Sequence, residues 1–173
     1  VSLFGDASEV QIAEPIVPPC EDWSTMEKLA KEKEVVGIYI SGHPLDDYKF
    51  EMKYFCSAKL ESLKNLEQHL GKNLSFGGIV TNVQHRTAKN GKGWATFVLE
   101  GYDESYEFRI FDEEYLKYRH FLLQNQFVYF KINVKEGWVN RETGKKSDPR
   151  IQFLDAKMLA DVLPTFAKKL FIH

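Results

Sequence analysis

Two short stretches of the chain combine positive charge with flexible or turn-forming residues, and both could bind a polyanion. The first basic loop, residues 86–93, contains two glycines and the cations Arg86, Lys89 and Lys92. The second basic loop, residues 135–150, carries Trp138 and the cations Arg141, Lys145, Lys146 and Arg150. Cations in such loops can follow a phosphate backbone and release its counterions. Basic loops can also serve only to keep a domain in solution, and for any single lysine that is the simpler interpretation.

The other residue types that do chemistry form no catalytic or metal-binding set. The five histidines are scattered, without a pair or a cysteine at ligand spacing. Asp46-Asp47 and Glu113-Glu114 are adjacent pairs, whose side chains point in different directions and make no metal clamp. No glycine-rich phosphate motif with its lysine occurs. We therefore expect a binding module with no catalytic residues, metal or cofactor of its own.

The elements around the two loops are short strands separated by Gly, Asn and Asp. Three of them cover 74–86, 94–100 and 106–111, a helical stretch opens at Asp112, and two more strands follow at 127–134 and 151–158. Three strands, one helix and two strands is the order of the OB-fold, a five-stranded, partly open barrel. Other α+β arrangements share that order, but the strand lengths favour a small barrel. The fold class predicted is mainly β with α, a five-stranded OB-fold barrel preceded by a short helical segment.

Alternation along the strands assigns side chains to the two faces of this barrel. If the bulky apolar residues face the core, the outward positions include Trp94, Arg109 and Lys131. An OB barrel binds nucleic acid across its second and third strands, between the two loops that are basic here. We therefore expect bases to stack on Trp94 with Arg109 and Lys131 beside it, at about 1–3 kcal/mol per base. The alternative is that Trp94 only covers one end of the barrel.

The front of the chain is acidic, whereas the predicted barrel is mildly basic. Residues 1–71 carry 7 Lys and Arg against 13 Asp and Glu, and residues 72–160 carry 14 against 11. A polyanion is therefore expected to bind the second of these regions. Residues 1–22 contain three prolines among small and acidic residues, which is the composition of a linker.

A helical connecting segment is predicted over residues 23–71. Ser24 and Glu27 fit a capping box that opens a helix running to about Gly37. Pro44 suits the first turn of a short second helix. An apolar stripe of leucines over 60–70 marks a third helix.

The composition is that of a soluble cytoplasmic protein, with 43% hydrophobic and 28% charged residues and no membrane-spanning run. Cys20 and Cys56 lie far apart in sequence, so we expect reduced thiols and no disulfide. The chain lacks an initial methionine and stops within an apolar run. We expect it to be a piece of a larger protein.

One stretch resembles a known family. Residues 32–48 include the run Ser41-Gly42-His43-Pro44-Leu45 and are similar to a segment that precedes the OB domain in the alpha subunit of bacterial DNA polymerase III. Residues 78–81, 86–93 and 99–111 are similar to the OB domain itself. The resemblance implies the C-terminal region of that subunit, with the polymerase's own catalytic aspartates far upstream.

The resemblance carries further expectations about partners. Leu3 and Phe4 are similar to the hydrophobic residues of the motif by which this polymerase holds its sliding clamp, and the glutamine that opens the motif would precede Val1. Residues 161–173 would begin the next, tau-binding-like domain. The parent chain would be a DNA-directed DNA polymerase, a nucleotidyltransferase that uses Mg²⁺.

Three functions are compatible with these features. The leading prediction is a module that binds single-stranded DNA template during chromosomal replication, with the sliding clamp and other replisome subunits as partners. An OB barrel that acts mainly as a protein-docking platform in the replisome is the alternative. An anticodon-type OB domain of a tRNA synthetase is a third, and the run at residues 41–44 argues against it.

Overall fold

The structure is a computed structural model, and it describes residues 18–139 and 146–167. The chain divides into two compact units, Val1–Ile40 and Ser41–His173. Leu3 and Phe4 of the clamp motif, Arg141 and Lys145 therefore lie outside the described residues, and so does most of the predicted linker. The predictions on them stay predictions.

The described part of the first unit contains one helix, α1 (Thr25–Val36). Its capping box is present as predicted: the Glu27 amide donates to Ser24 Oγ at 3.3 Å, and the Ser24 amide donates to Glu27 Oε2 at 2.8 Å. At the other end the Gly37 amide donates to the Lys33 carbonyl at 2.9 Å. These bonds satisfy backbone groups that a helix end leaves without intrahelical partners.

The second unit opens with short helices and then forms the sheet. The 3₁₀ helix Pro44–Tyr48 leads into α2 (Lys49–Phe55), and the leucine stripe forms the 3₁₀ segment Leu60–His69, which is kinked at Asn65. The strands are β1 (Asn73–Thr87), β2 (Gly93–Glu100), β3 (Ser105–Phe111), β4 (Phe127–Lys135) and β5 (Arg150–Met158). Helix α3 (Asp112–Tyr118) and a 3₁₀ turn lie between β3 and β4, and α4 (Leu159–Phe166) follows β5.

The sheet is antiparallel, in the order β3-β2-β1-β4-β5. Its long first strand serves two partners: residues 73–79 pair with β4, and residues 79–87 pair with β2. Within the half that pairs with β2, the ladder shifts register from Thr81 to Gln84, and Asn82 has a positive φ of 49°. A bulge of this kind bends a strand and increases its twist. The result is the predicted mainly β, OB-like fold.

The sheet stays open between its edge strands β3 and β5, since no ladder joins them in the described part of the chain. Side chains bridge this gap instead. The rings of Phe108 on β3 and Phe153 on β5 lie 5.7 Å apart. From α3, the Tyr118 hydroxyl donates to the Leu154 carbonyl at 2.6 Å, and Glu114 Oε2 accepts from the Phe153 amide at 3.2 Å.

The core confirms the predicted alternation of faces. Phe97, Phe108 and Phe130 are almost completely buried, and the ring of Phe97 lies 5.4 Å from each of the other two. A second, smaller cluster covers part of β1 and β4. It is formed by side chains of both strands and of the flanking helices, namely Leu45, Ile79, Tyr129, Leu159 and Val162.

The close approach of β1 and β2 depends on Gly78. A Cβ at this position would lie 2.6 Å from the Glu100 carbonyl oxygen and 2.9 Å from Leu99 Cγ. We predict that Gly78→Ala lowers the free energy of unfolding by about 1–3 kcal/mol, because the backbones must move apart. Urea unfolding followed by circular dichroism measures this. Gly42→Ala is the matched control, since its Cβ would meet only Asp46 Oδ2 at 3.7 Å; equal stability of the two variants would contradict the prediction.

The two thiols differ in surroundings. Cys20 is exposed, whereas Cys56 packs beside Met52, with its Sγ 4.0 Å from the thioether sulfur. Burial raises the pKa of Cys56 to about 12. Because the thiolate is the reactive form, we predict that iodoacetamide at about pH 8 alkylates Cys56 more than about tenfold slower than Cys20. Mass spectrometry of the labelled peptides, with and without urea, measures both rates. Similar rates in the folded chain would contradict the burial and the raised pKa of Cys56.

Candidate nucleic-acid interface

The outer face of β2 and β3 carries a pair of stacked aromatic rings at one end. Trp94 and Phe111 are cross-strand partners, and their ring centroids lie 5.6 Å apart with 20° between the ring planes. On the other side of Trp94, its partner on β1 is Arg86, whose guanidinium carbon is 5.4 Å from the indole centroid. Gln84 Oε1 accepts a 2.6 Å hydrogen bond from that guanidinium. Arg86, Trp94 and Phe111 thus form one row across three strands.

Phe111 belongs to this surface, although the sequence reasoning missed it. Its side chain is 52% exposed, whereas Trp94 is only half-buried between its two neighbours. Phe111 is therefore the more open ring for a base to stack on. Alternation along β3 could have identified it, because burial of Phe108 and Ile110 places Phe111 on the outer face.

Of the two cations expected beside Trp94, the structure places one there. Arg109 is the cross-strand partner of Thr96, so it lies diagonal to Trp94 on the same face. Lys131 faces outward as predicted, but it pairs with Ser75 at the opposite end of β1. The expectation that Lys131 lies beside Trp94 is wrong, because β4 pairs with a different half of β1 than β2 does.

The first basic loop is a tight turn between β1 and β2. The Ala88 amide donates to the Lys92 carbonyl at 2.8 Å, and the Gly91 amide donates to the Ala88 carbonyl at 2.9 Å. Gly91 has a φ of +80°, a conformation that glycine adopts at little cost. Lys89 and Lys92 are exposed in this turn.

The second basic loop begins as a two-stranded arm. Val139 and Lys146 form an isolated antiparallel bridge, and the Ser147 amide donates to the Trp138 carbonyl at 2.9 Å. The Trp138 side chain is 71% exposed, and the guanidinium carbon of Arg150 lies 4.5 Å from its ring centroid. A cation at this distance pairs with the face of an indole ring.

A cleft of about 850 Å³ joins these parts. It lies where the sheet is open, between β3, the start of α3 and the second basic loop. Its walls include aromatic rings and cations from β3 and from both loops, among them Lys92, Arg109, Phe111, Trp138 and Arg150. Carboxylates line it as well, so the cleft is not uniformly positive.

Three of the candidate cations form ion pairs with carboxylates of the chain. The distances are 3.2 Å from Lys92 Nζ to Asp112 Oδ2, 3.6 Å from Arg109 Nη2 to Glu107 Oε1, and 3.0 Å from Lys146 Nζ to Glu136 Oε2. All six side chains are substantially exposed, so each pair contributes little to stability. No such ion pair involves Arg86, Lys89 or Arg150 within the described residues.

The described residues contain neither a metal-binding cluster nor a membrane-spanning helix. They contain no group of three or more His, Cys, Asp or Glu that could hold a metal ion. Among the same residues, no helix has the length and apolar character needed to cross a membrane. The chemistry that this surface supports is stacking and charge neutralisation.

The fold and this surface define an OB-like domain whose outer β2–β3 face carries aromatic rings and cations. No known family profile matches the chain. Over 123 residues it is 29% identical to DNA polymerase III subunit alpha of Saccharopolyspora erythraea, a match that covers 69% of this chain and 10% of that protein. The same subunit of Borreliella burgdorferi is 35% identical over 109 residues, 62% of this chain and 9% of that protein.

The same subunit of a third bacterium also matches the chain. DNA polymerase III subunit alpha of Campylobacter jejuni is 37% identical over 117 residues, 64% of this chain and 9% of that protein. The chain thus spans about a tenth of the length of the curated relatives it matches. The resemblance to the alpha subunit of bacterial DNA polymerase III is confirmed.

Glu114 provides a pH-dependent test of the cleft. Burial raises the pKa of this carboxyl, and the hydrogen bond from the Phe153 amide acts against that shift. Because the pKa is raised in the folded state, the contribution of Glu114 to the free energy of unfolding is fully present at low pH. That contribution is lost as the pH rises and the carboxyl ionises. Glu114→Gln keeps a hydrogen-bond acceptor and removes the buried charge.

We therefore predict that the free energy of unfolding of Glu114→Gln, relative to the unmodified chain, increases from about pH 4 to about pH 7. Urea unfolding at both pH values measures the difference. Glu113→Gln is the control, because Glu113 is exposed and its neighbouring position gives the same change in net charge. If the free energy of unfolding of Glu114→Gln relative to the unmodified chain did not change with pH, the raised pKa of Glu114 would be contradicted.

Proposed function

We propose that this chain is a single-stranded DNA-binding OB module of a DNA polymerase III alpha-type subunit, and that it supports template engagement during chromosomal replication. The observation that carries the proposal is the row of Arg86, Trp94 and Phe111 across the outer face of β1, β2 and β3. That face is where OB folds bind oligonucleotides. The similarity to a DNA polymerase subunit supports DNA over other polyanions.

The proposed mechanism combines stacking with loop electrostatics. Bases stack on the exposed ring of Phe111 beside Trp94, and every base can do so because every base has a π face. The cations of the two basic loops neutralise the flanking phosphates. Trp138 and Arg150 at the far side of the cleft supply a second stacking position. Binding of this kind depends little on sequence and strongly on salt.

Polymerase activity is proposed for the longer protein and not for this segment. The relatives are DNA polymerases by name, and this chain matches about a tenth of each. We propose that the longer protein is a DNA-directed DNA polymerase that uses Mg²⁺ and binds the sliding clamp through Leu3 and Phe4. The described residues do not fit a metal site, so a metal-dependent step belongs to the rest of that protein.

Fluorescence anisotropy of a labelled oligonucleotide tests the DNA-binding role. We predict that the chain binds labelled oligo-dT at about 50 mM salt and loses most of its affinity at about 200 mM. Phe111→Ala removes the open ring and should weaken binding about five- to hundredfold, in line with the loss of one stacked base. Lys89→Ala should weaken binding to all sequences alike.

Tyr54→Ala is the matched aromatic control. Tyr54 is 60% exposed on α2, outside the proposed surface, so its loss should leave the affinity unchanged. Affinity that does not respond to salt, or an equal effect of Phe111→Ala and Tyr54→Ala, would rule out the proposed surface.

A second candidate function is a protein-docking platform within the replisome. It is favoured by a patch of exposed aromatic side chains on α2 and α4. Phe50 and Tyr54 are 51% and 60% exposed with rings 4.6 Å apart, and the ring of Phe166 lies 5.9 Å from that of Phe55. Binding of another replisome subunit by the folded chain, with no oligonucleotide binding at low salt, would favour this function.

A further inference from the structure

Three cations of the proposed DNA surface form ion pairs with carboxylates of the same chain. Asp112, Glu107 and Glu136 each hold one of them, at Lys92, Arg109 and Lys146 respectively. A phosphate that binds one of these cations must take the place of the carboxylate beside it. Carboxylate and phosphate are alternative partners of the same cation.

We propose that Asp112, Glu107 and Glu136 are internal competitors of DNA, which hold the cations of the interface until phosphates displace them. This inference rests on the proposed DNA-binding function and adds a regulation of the same surface. Its consequence is that removing a carboxylate strengthens DNA binding, and that the increase comes from the released cation.

The positions of the carboxylates support competition over a merely structural role. Lys92, Arg109, Asp112 and Glu107 all line the cleft between β3 and the second basic loop. Asp112 directly follows Phe111, the open stacking ring, so a phosphate next to a base stacked there comes within reach of the Lys92–Asp112 pair. A strand bound across this face therefore passes two of the three ion pairs.

The Lys92–Asp112 pair is the most informative of the three. Its partners come from distant elements, the turn between β1 and β2 and the start of α3. Asp112 has a positive φ of 50°, a left-handed conformation that asparagine also tolerates. Asp112→Asn therefore removes the charge without straining the backbone, which an alanine would do.

The size of the effect follows from the exposure of the pair. Side chains of Lys92 and Asp112 are 60% and 51% exposed, and breaking an exposed pair of this kind costs a factor of about two to five. We expect Asp112→Asn to increase the affinity for oligo-dT by that factor. The released lysine neutralises one more phosphate, so the slope of log K against log salt should steepen by about 0.7.

Glu113→Gln is the matched control for net charge. Glu113 adjoins Asp112 and lines the same cleft, but it makes no ion pair among the described residues. Its substitution gives the same change in net charge, without releasing a cation. The competition predicts a smaller gain for Glu113→Gln and no change in its salt slope.

The experiment measures oligo-dT affinity by anisotropy at several salt concentrations for the unmodified chain, Asp112→Asn and Glu113→Gln, and for both substitutions in a Lys92→Ala background. We expect the advantage of Asp112→Asn over Glu113→Gln to disappear when Lys92 is replaced. Equal gains from Asp112→Asn and Glu113→Gln in the chain that retains Lys92, or no gain or a loss for Asp112→Asn in that chain, would each overturn the competition, while DNA binding by the unmodified chain would leave the proposed function standing. Failure of all the variants to bind would overturn the proposed function and the competition together.

Discussion

The bend in β1 is the constraint on which the rest of this domain depends. One strand supplies the partner for β4 with its first half and for β2 with its second half, and Ile79 is paired on both sides. The register shift between Thr81 and Gln84, with Asn82 at positive φ, bends the strand within its second half. Because β4 pairs with residues 73–79 and β2 with residues 79–87, the Trp94 end of the β2–β3 face and the first basic loop lie at the far end of β1 from the surface of β4. The cleft opens where β3 and β5 fail to pair, and side chains of α3 span the gap.

The strand pairing also places the residues of the proposed binding surface on a modestly charged chain. The aromatic row is built by cross-strand pairing: Trp94 is placed between Arg86 and Phe111 by the two ladders of β2. Arg86, Arg109 and Arg150 are held by strands, whereas Lys89 and Lys92 are exposed in the turn between β1 and β2. Three cations of the surface pair with carboxylates of the chain. Under the proposed function, contact with a nucleic-acid strand at this surface is weak and salt-sensitive.

The strands and the faces of their residues could be predicted from the sequence, because period-two alternation and Gly, Asn and Asp punctuation are local signals. The capping box at Ser24 and the turn around Gly91 were accessible for the same reason. The error at Lys131 has a different origin. Alternation shows that a side chain faces outward, but only the register of β1 against β2 and β4 shows which outward residues are neighbours. The short helix predicted at Pro44 corresponds to the 3₁₀ helix Pro44–Tyr48 and α2. Helix α4 was missed, since eight residues carry too little periodicity, and the Lys92–Asp112 ion pair depends on tertiary contacts.

The indole N–H signals of the tryptophans give the most direct test of where DNA binds. Trp94 and Trp138 lie on the two sides of the proposed surface, whereas Trp23 belongs to the separate unit Val1–Ile40. In ¹⁵N-resolved NMR spectra of the chain titrated with oligo-dT, the account predicts that the signals of Trp94 and Trp138 shift together and that the signal of Trp23 stays in place. Shifts confined to α2 and α4, with Trp94 and Trp138 unchanged, would contradict it.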